Sequence, residues 1–279
     1  MAQRRRRRKR RNRRGGAGFS VRPYLPYVLI LLLLGGAYAF YVSKTPSGKQ
    51  EAVCALIIDR TSSSNSPKTV ARYKALAAKT VSGCADKKAA LSVYYFDQNG
   101  PKLLLLNDQP YDLWGVGRKS SIREQSRSDN EKRATTDLGT VFRGAETSER
   151  GSDIVTALYG VAQNLNHDAI AANVSQKYLV VLTDGLQISD SITVSSLASG
   201  NSPVDPLLQR VKQLGLTPDL HGTQISFVGV RSGIVSLSGK QLPQVFEAKV
   251  QEFWTDVVRA GNGRLCTYVP DSTEVPVSC

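Results

Sequence analysis

Three short and nearly unbroken apolar runs constrain the fold of this chain most strongly. They occupy residues 53–58, 178–183 and 225–230. Runs of this kind, without alternating polar residues, are typical of parallel strands that are buried on both faces of a sheet. Segments with helical periodicity separate them. The pattern therefore predicts an α/β domain with helices on both faces of a mostly parallel sheet.

The remaining strand segments complete the predicted sheet. Residues 91–96 and 102–106 flank an Asn99-Gly100 pair that suits a tight hairpin, and 265–269 supply a last strand. The result is a doubly wound, mostly parallel six-stranded sheet with one antiparallel edge strand, which is a Rossmann-like arrangement. In such sheets ligands bind beyond the carboxyl ends of the strands, where strand order reverses. The crossovers place that point at the first strand.

Cap residues and apolar stripes predict four helices. Their ranges are about 66–82, from Ser152 onward, from 205 to just before Gly215, and 242–260. Two other segments do not fit the alternation. The polar insertion at about 107–150 carries sixteen charges among forty-four residues, which predicts a short helix and a mobile loop. Residues 185–204 are rich in serine, and functional or disordered interpretations stay open for both segments.

The amino-terminal region predicts a membrane anchor. Residues 24–42 form nineteen uncharged positions, enough for a helix of roughly 28 Å across a bilayer core. We therefore predict a basic cytoplasmic tail at 1–22, a transmembrane signal-anchor at 23–42, a linker at 43–50 and an extracytoplasmic domain at 51–279. Cleavage as a signal peptide at Ala37-Tyr38-Ala39 is the alternative.

The net charge of +14 comes from the tail. Thirteen of the 37 Lys and Arg residues lie in 1–50, which contain no acid, so 24 bases face 23 acids in the rest. A nearly neutral domain has little electrostatic drive to bind phosphate backbones, and we expect no nucleic-acid partner. The arginine run before the apolar segment should instead orient a single-pass anchor in the cell membrane and can also contact anionic lipids.

Four cysteines are an even number for an oxidising compartment. None belongs to a Cys-x-x-Cys pair, which disfavours a zinc site. Cys54 opens the first strand and Cys84 follows the first helix, so both should lie at one end of the sheet. Our favoured hypothesis is Cys54–Cys84 with Cys266–Cys279, and buried inert thiols are the alternative.

Oxygen-bearing side chains follow two of the buried strands. Asp59, Thr61 and Ser63 lie on one loop, Ser152 precedes a helix, and Asp184 follows the strand at 178–183. In a doubly wound sheet these loops converge at one edge. Carboxylate and hydroxyl oxygens suit a hard cation such as Mg²⁺. An Asp or Ser after a strand is also ordinary turn chemistry, so each loop alone is a weak indication.

Together, these three loops resemble the metal-ion-dependent adhesion site of von Willebrand factor A (VWA) and integrin inserted domains, with its Asp-x-Ser-x-Ser, Thr and Asp pattern. The resemblance implies that Asp59, Thr61, Ser63, Ser152 and Asp184 surround Mg²⁺, Mn²⁺ or Ca²⁺. Thr61 replaces a Ser of the pattern and Ser152 replaces its Thr, and both keep the hydroxyl. It further implies adhesion or assembly through a protein ligand that supplies a carboxylate, without catalysis. Asp153 would then contact a metal ligand and would not bind the metal itself.

Two other interpretations stay open. The chain could be a metal-free structural subunit of an envelope or secretion assembly. It could also be a metal-dependent hydrolase that uses Asp59, Asp153 and Asp184. Nucleophile-elbow, phosphate-loop and zinc-protease motifs are missing from the sequence, and His167 and His221 are expected to face solvent. We therefore expect a binding protein rather than an enzyme.

Overall fold

We describe a computed structural model of the chain, which covers residues 49–61, 67–96, 104–117, 119–143, 152–199, 202–230 and 244–269, together with 277 and 279. Residues Ser47–Cys279 form one compact unit. Across the described ranges, no helix is long and apolar enough to cross a membrane. The predicted tail, anchor and most of the linker lie outside those ranges.

The sheet is mostly parallel, as the apolar runs predict. The strands are β1 (Ala52–Asp59), β2 (Ala89–Phe96), β3 (Leu104–Leu105), β4 (Tyr111–Asp112), β5 (Gln176–Leu182), β6 (Thr223–Val228) and β7 (Arg264–Val269). They run in the order β3-β2-β1-β5-β6-β7, with β4 also paired to β2. Because β2 and β5 lie on opposite sides of β1, strand order reverses at β1, as predicted.

The antiparallel edge differs from the prediction of six strands. Two short segments, β3 and β4, share the outer edge of β2, and the described sheet has seven strands. β3 pairs with Tyr94 and Tyr95, whereas β4 pairs with Ala90 and Leu91. β4 has only two residues. A strand so short shows no alternation of apolar and polar residues, which explains why the sequence does not reveal it.

Five helices are described: the four that caps and apolar stripes predict, and one in the polar insertion. They are α1 (Pro67–Asp86), α2 (Ser120–Val141), α3 (Ile154–Ala172), α4 (Asp205–Gln213) and α5 (Gln244–Ala260). The predicted stop of α1 before Gly83 is wrong, since the helix continues to Asp86 and contains Cys84. A Cβ on Gly83 would lie 2.5 Å from a methyl group of Val277. Glycine thus allows Val277 to approach the helix at this position.

The prediction of only a short helix in the polar insertion is also wrong. α2 has 22 residues, although only three of them are buried: Ala134, Leu138 and Val141. Their spacing of three and four residues places them on one helical face, which explains how so polar a helix attaches to the domain. The partly buried Arg127 also pairs with Glu131 at 2.9 Å, a spacing that supports helix formation.

Two apolar clusters cover the two faces of the sheet, and β1 contributes to both. All eight residues of β1 are buried. Val53, Ala55 and Ile57 face the cluster that contains residues of α3 and α5. Alternate β1 residues, among them Leu56 and Ile58, face the cluster built with α1 and α2. This two-sided burial fixes the register of β1 and so fixes where its carboxyl end lies.

The serine-rich segment after β5 packs against the domain. Leu186, Ile192, Val194 and Leu197 are all buried in the α3 and α5 cluster. A 3-10 turn covers Val194–Ser199. Disorder is therefore the wrong interpretation for the described part of this segment. Its apolar residues are spaced irregularly, so the sequence does not show which of them are anchors.

All four cysteines are paired in the structure. Cys54 of β1 is bonded to Cys84 of α1, with 6.2 Å between their Cα atoms. Cys266 of β7 is bonded to Cys279, with 5.0 Å between their Cα atoms. These are the two pairs that the sequence favours. The first bond ties a helix to the sheet, and the second holds the carboxyl terminus against β7.

Candidate metal centre

Hydroxyl and carboxylate groups converge at the carboxyl ends of β1 and β5. Asp59 is the last residue of β1, and Thr183 and Asp184 directly follow β5. Ser152 comes just before α3 and forms an isolated parallel bridge with Gln187. These side chains are almost fully buried, with exposed fractions of at most 2% for Asp59, Thr61, Ser152, Thr183 and Asp184.

A continuous chain of hydrogen bonds joins four of these residues. The Thr61 hydroxyl donates to Asp59 Oδ1 at 2.6 Å, and the Thr61 backbone N–H donates to the same oxygen at 2.9 Å. Thr183 donates its hydroxyl to Asp59 Oδ2 at 2.8 Å. The Ser152 and Thr61 hydroxyl oxygens are 2.6 Å apart. Either of these two hydroxyls can be the donor in that contact.

The protein environment acts on the Asp59 carboxyl in two opposite ways. Burial raises the pKa of Asp59 above its ordinary value of 3.8, because the charged form loses its hydration. Hydrogen bonds from Thr61, Thr183 and Ser152 lower the pKa, but burial outweighs them. The hydrogen bonds thus stabilise the charged form of the carboxyl, whereas its low-dielectric surroundings destabilise that form.

Of the five residues that the sequence predicts as metal ligands, four lie within the described residues. Asp59, Thr61 and Ser152 come together directly, and Asp184 lies at the same strand end, where its Oδ1 accepts the Leu186 N–H at 2.9 Å. Ser63 lies outside the described residues.

Asp153 begins α3 instead of Ser152, the residue that the sequence suggests. As the N-cap, Asp153 accepts the Thr156 N–H at 3.3 Å and the Thr156 hydroxyl at 2.8 Å. The side chain of Ser152 is thereby left for the network with Thr61. The sequence does not distinguish two adjacent capping residues at this point.

Thr183 and Gln187 are functional candidates that sequence reasoning missed. Thr183 reads as the polar end of an apolar strand, although a hydroxyl directly before Asp184 was an available signal. Gln187 is fully buried: it accepts the Val155 N–H at 2.9 Å and donates to Asp153 at 3.0 Å. It fixes the loop after β5 to the start of α3, and no local sequence pattern marks this role.

The turn after β5 is held from both sides. The Gly185 N–H donates to the Thr183 hydroxyl at 3.1 Å, and the Gly185 carbonyl accepts the Trp254 indole N–H at 2.9 Å. Gly185 has φ +84°, a left-handed conformation that glycine adopts at little cost. A residue of α5 thus positions the backbone between Thr183 and Leu186.

The donor set consists of oxygen atoms alone. Within the described ranges, no three His, Cys, Asp or Glu side chains cluster so that they could hold a metal. Any cation at this edge would therefore depend on the two carboxylates of Asp59 and Asp184 together with neutral hydroxyls. Such a set fits Mg²⁺ or Mn²⁺, which accept hard oxygen ligands and retain water molecules, better than it fits Zn²⁺.

Comparisons with known proteins give remote structural similarity only. No protein-family model matches the sequence, and no curated protein matches it. Among solved structures, an aerotolerance-related membrane protein from Bacteroides fragilis has a TM-score of 0.39 and 13% identity, covering 78% of this chain and 92% of that one. The SpRpn10 VWA domain has a TM-score of 0.34 and 11% identity, covering 82% and 97%. The manganese-loaded Plasmodium vivax TRAP protein has a TM-score of 0.36 and 12% identity, covering 80% and 78%. The strand order of this chain and the apolar clusters on both faces of its sheet define a doubly wound, mostly parallel α/β fold.

Proposed function

We propose that this VWA-like domain binds a partner protein through a divalent cation of the Mg²⁺ type. The observation that carries the proposal is the buried network in which Thr61 and Thr183 both donate to Asp59 while Ser152 contacts Thr61. In this proposal Asp59, Thr61, Ser152 and Asp184 surround the cation, with Ser63 as a further ligand. Thr183, which was not among the residues predicted from the sequence, orients Asp59 by donating a hydrogen bond to it.

The physical reason for a cation is the charge of Asp59. A carboxylate that is 1% exposed loses most of its hydration, and a divalent cation would offset that loss. Two carboxylates neutralise the charge of one such cation, and hydroxyls add none. A carboxylate from a partner could then complete the coordination shell. When bound, the cation supplies Lewis acidity toward that carboxylate, and the residues of this chain supply its position.

The predicted membrane anchor at 23–42 completes the proposal, with the domain on the extracytoplasmic side of the cell membrane. The two disulfides support that side, since such bonds persist in oxidising compartments. Alkaline extraction of membranes would test the anchor, and protease treatment of sealed vesicles would test the orientation. We expect the full chain to stay in the membrane pellet. In sealed vesicles, the protease should digest the domain when the extracytoplasmic side faces outward and leave it intact when that side is enclosed.

Partner binding is tested by crosslinking on intact membranes in Mg²⁺ and then in chelator. The proposal predicts crosslinked partners that disappear in chelator and in Asp59→Ala. Asp129→Ala is a suitable control, because Asp129 is exposed on α2 and its described hydrogen bonds are to Gln125.

A metal-free scaffold is the second candidate, and one observation favours it. Both oxygens of Asp59 accept hydrogen bonds from neighbouring hydroxyls, which can satisfy a carboxyl group on their own. A domain in which these contacts only fix the loops would keep its partners in chelator. The crosslinking experiment therefore separates the two candidates directly.

The hydrolase interpretation receives less support from the geometry. Its third carboxylate, Asp153, accepts hydrogen bonds on both oxygens: from the Thr156 N–H and Gln187 on Oδ1, and from the Thr156 hydroxyl on Oδ2. A group so engaged is a poor general base, because its lone pairs are already used. His167, whose side chain is 83% exposed, pairs only with Asp168 at 3.6 Å among its described ion-pair contacts.

A further inference from the structure

We propose that the turn at residues 188–191 is a second contact surface, which selects partners carrying an aliphatic side chain next to the metal-bound carboxylate. This inference rests on the proposed function, since it concerns the partner of the same site. It assigns a specificity-determining role to Ile188, which the resemblance to VWA domains does not suggest. Its basis is the position, exposure and fixed backbone of this residue.

Ile188 lies directly beside the candidate metal centre. Its backbone N–H donates to the Ser152 carbonyl at 2.8 Å. The Ser152 hydroxyl oxygen in turn lies 2.6 Å from that of Thr61. One hydrogen bond therefore connects Ile188 to a residue of the centre, so a partner group held at the centre would come close to this turn.

Several backbone and side-chain contacts hold the turn in its conformation. Ile188 and Thr193 form an antiparallel bridge, and the Ser189 N–H donates to the Ile192 carbonyl at 2.9 Å. Beneath it, the buried Gln187 donates to Asp153 at 3.0 Å and to the Ser189 hydroxyl at 3.2 Å. Because the loop is already ordered, a partner that contacts it loses little free energy to ordering the loop on binding.

The chemistry of the turn defines what it can select. The Ile188 side chain is 38% exposed, although its backbone is held in place. Single exposed aliphatic residues are common on protein surfaces, and exposure alone would mean little. Here the exposed Ile188 adjoins a site that would hold a carboxylate. Asp190, also exposed at the turn, would repel a second acid. The fitting partner is therefore a loop with one Asp or Glu beside an aliphatic residue.

Short blocked peptides test this selectivity on the purified full-length chain loaded with Mn²⁺. The probes are Gly-Gly-Glu-Leu-Gly, Gly-Leu-Glu-Gly-Gly, Gly-Gly-Glu-Gly-Gly and Gly-Gly-Gln-Leu-Gly, with binding followed by titration calorimetry. We expect one of the two Leu-Glu arrangements to bind about five-fold more tightly than the glycine peptide. That factor corresponds to roughly 40 Å² of apolar surface removed from water. The glutamine peptide should bind most weakly.

Matched variants assign the effect to the turn. Ile188→Ser should abolish the five-fold preference and leave Mn²⁺ affinity unchanged. Ile170→Ser should change neither, because Ile170 is 80% exposed near the end of α3, at the opposite edge of the sheet. Equal binding of leucine and glycine peptides by Mn²⁺-loaded protein would overturn the inference alone. Absence of Mn²⁺ binding by the unaltered chain would overturn the proposed function, and the inference with it.

Discussion

Thr183 donates its hydroxyl hydrogen to Asp59 Oδ2 across 2.8 Å, although 124 positions separate the two residues. The contact joins the ends of β1 and β5, which pair in parallel up to Ile58 and Leu182. The same hydroxyl accepts the Gly185 N–H at 3.1 Å. One side chain therefore orients the buried carboxylate and shapes the turn that follows Asp184.

Replacing Thr183 tests this relationship. Thr183→Val keeps the shape but removes both hydrogen bonds, and we expect a loss of about 2 kcal/mol in the free energy of unfolding. Thr183→Ser, which keeps the hydroxyl, should lose much less. Urea denaturation of both variants measures the difference. Equal losses would mean that the methyl group, rather than the hydroxyl, stabilises this edge.

The buried charge of Asp59 predicts a pH dependence of the metal-free protein. Its pKa is raised in the folded state, so Asp59 contributes stability below about 3.8 that is lost as the pH rises through the raised value. Asp59→Asn removes this dependence. In chelator, the stability of the unaltered protein relative to Asp59→Asn should fall as the pH is raised above the ordinary Asp value of 3.8. A difference that is constant with pH would contradict the stated cause.

Trp254 tests whether α5 positions the turn after β5. Trp254→Phe leaves the Gly185 carbonyl without its donor, and we expect a loss of about 1–3 kcal/mol together with weaker Mn²⁺ binding. Trp114→Phe is the matched control, since Trp114 follows β4 at the outer edge of β2. Thermal unfolding with and without Mn²⁺ measures both effects. Unchanged metal affinity in Trp254→Phe would limit this residue to a packing role.

The two disulfides should differ in their reactivity toward a dithiol reductant. Cys54 and Cys84 are at most 1% exposed, whereas Cys266 is half-buried and Cys279 is exposed. Because reduction requires access to a sulfur atom, mild treatment should open Cys266–Cys279 first. Timed alkylation followed by peptide mass spectrometry detects the order. Labelling of Cys54 and Cys84 at the same rate would contradict the described packing.

The sheet could be predicted from the sequence because burial on both faces leaves a local mark. β1 is apolar from Ala52 to Ile58, so its position and its central place in the order follow from residues 53–58. α2 could not be predicted at its full length. Only Ala134, Leu138 and Val141 are buried, and its remaining surface reads as a polar loop.

The candidate site was partly predictable for the same reason. Asp59 and Asp184 follow recognisable apolar runs, so the order of strands and helices along the chain is enough to assign their loops to one edge. Thr183 and Gln187 act through contacts that join distant segments, with separations of 124 and 32 residues. Such contacts depend on the three-dimensional arrangement of the loops, and the sequence around each residue carries no sign of the partner.

Mn²⁺ titration of thermal stability, in the full-length chain and in Asp59→Asn, tests the central claim most directly. At one hundred times the dissociation constant, binding should stabilise the unaltered protein by about 2.7 kcal/mol, which raises the melting temperature by roughly 5–10 °C for a domain of this size. The control Asp129→Asn should show the same rise, and Asp59→Asn should show none. An unaltered protein whose melting temperature is independent of Mn²⁺ and Mg²⁺, or an equal rise in Asp59→Asn, would contradict a metal centre at Asp59.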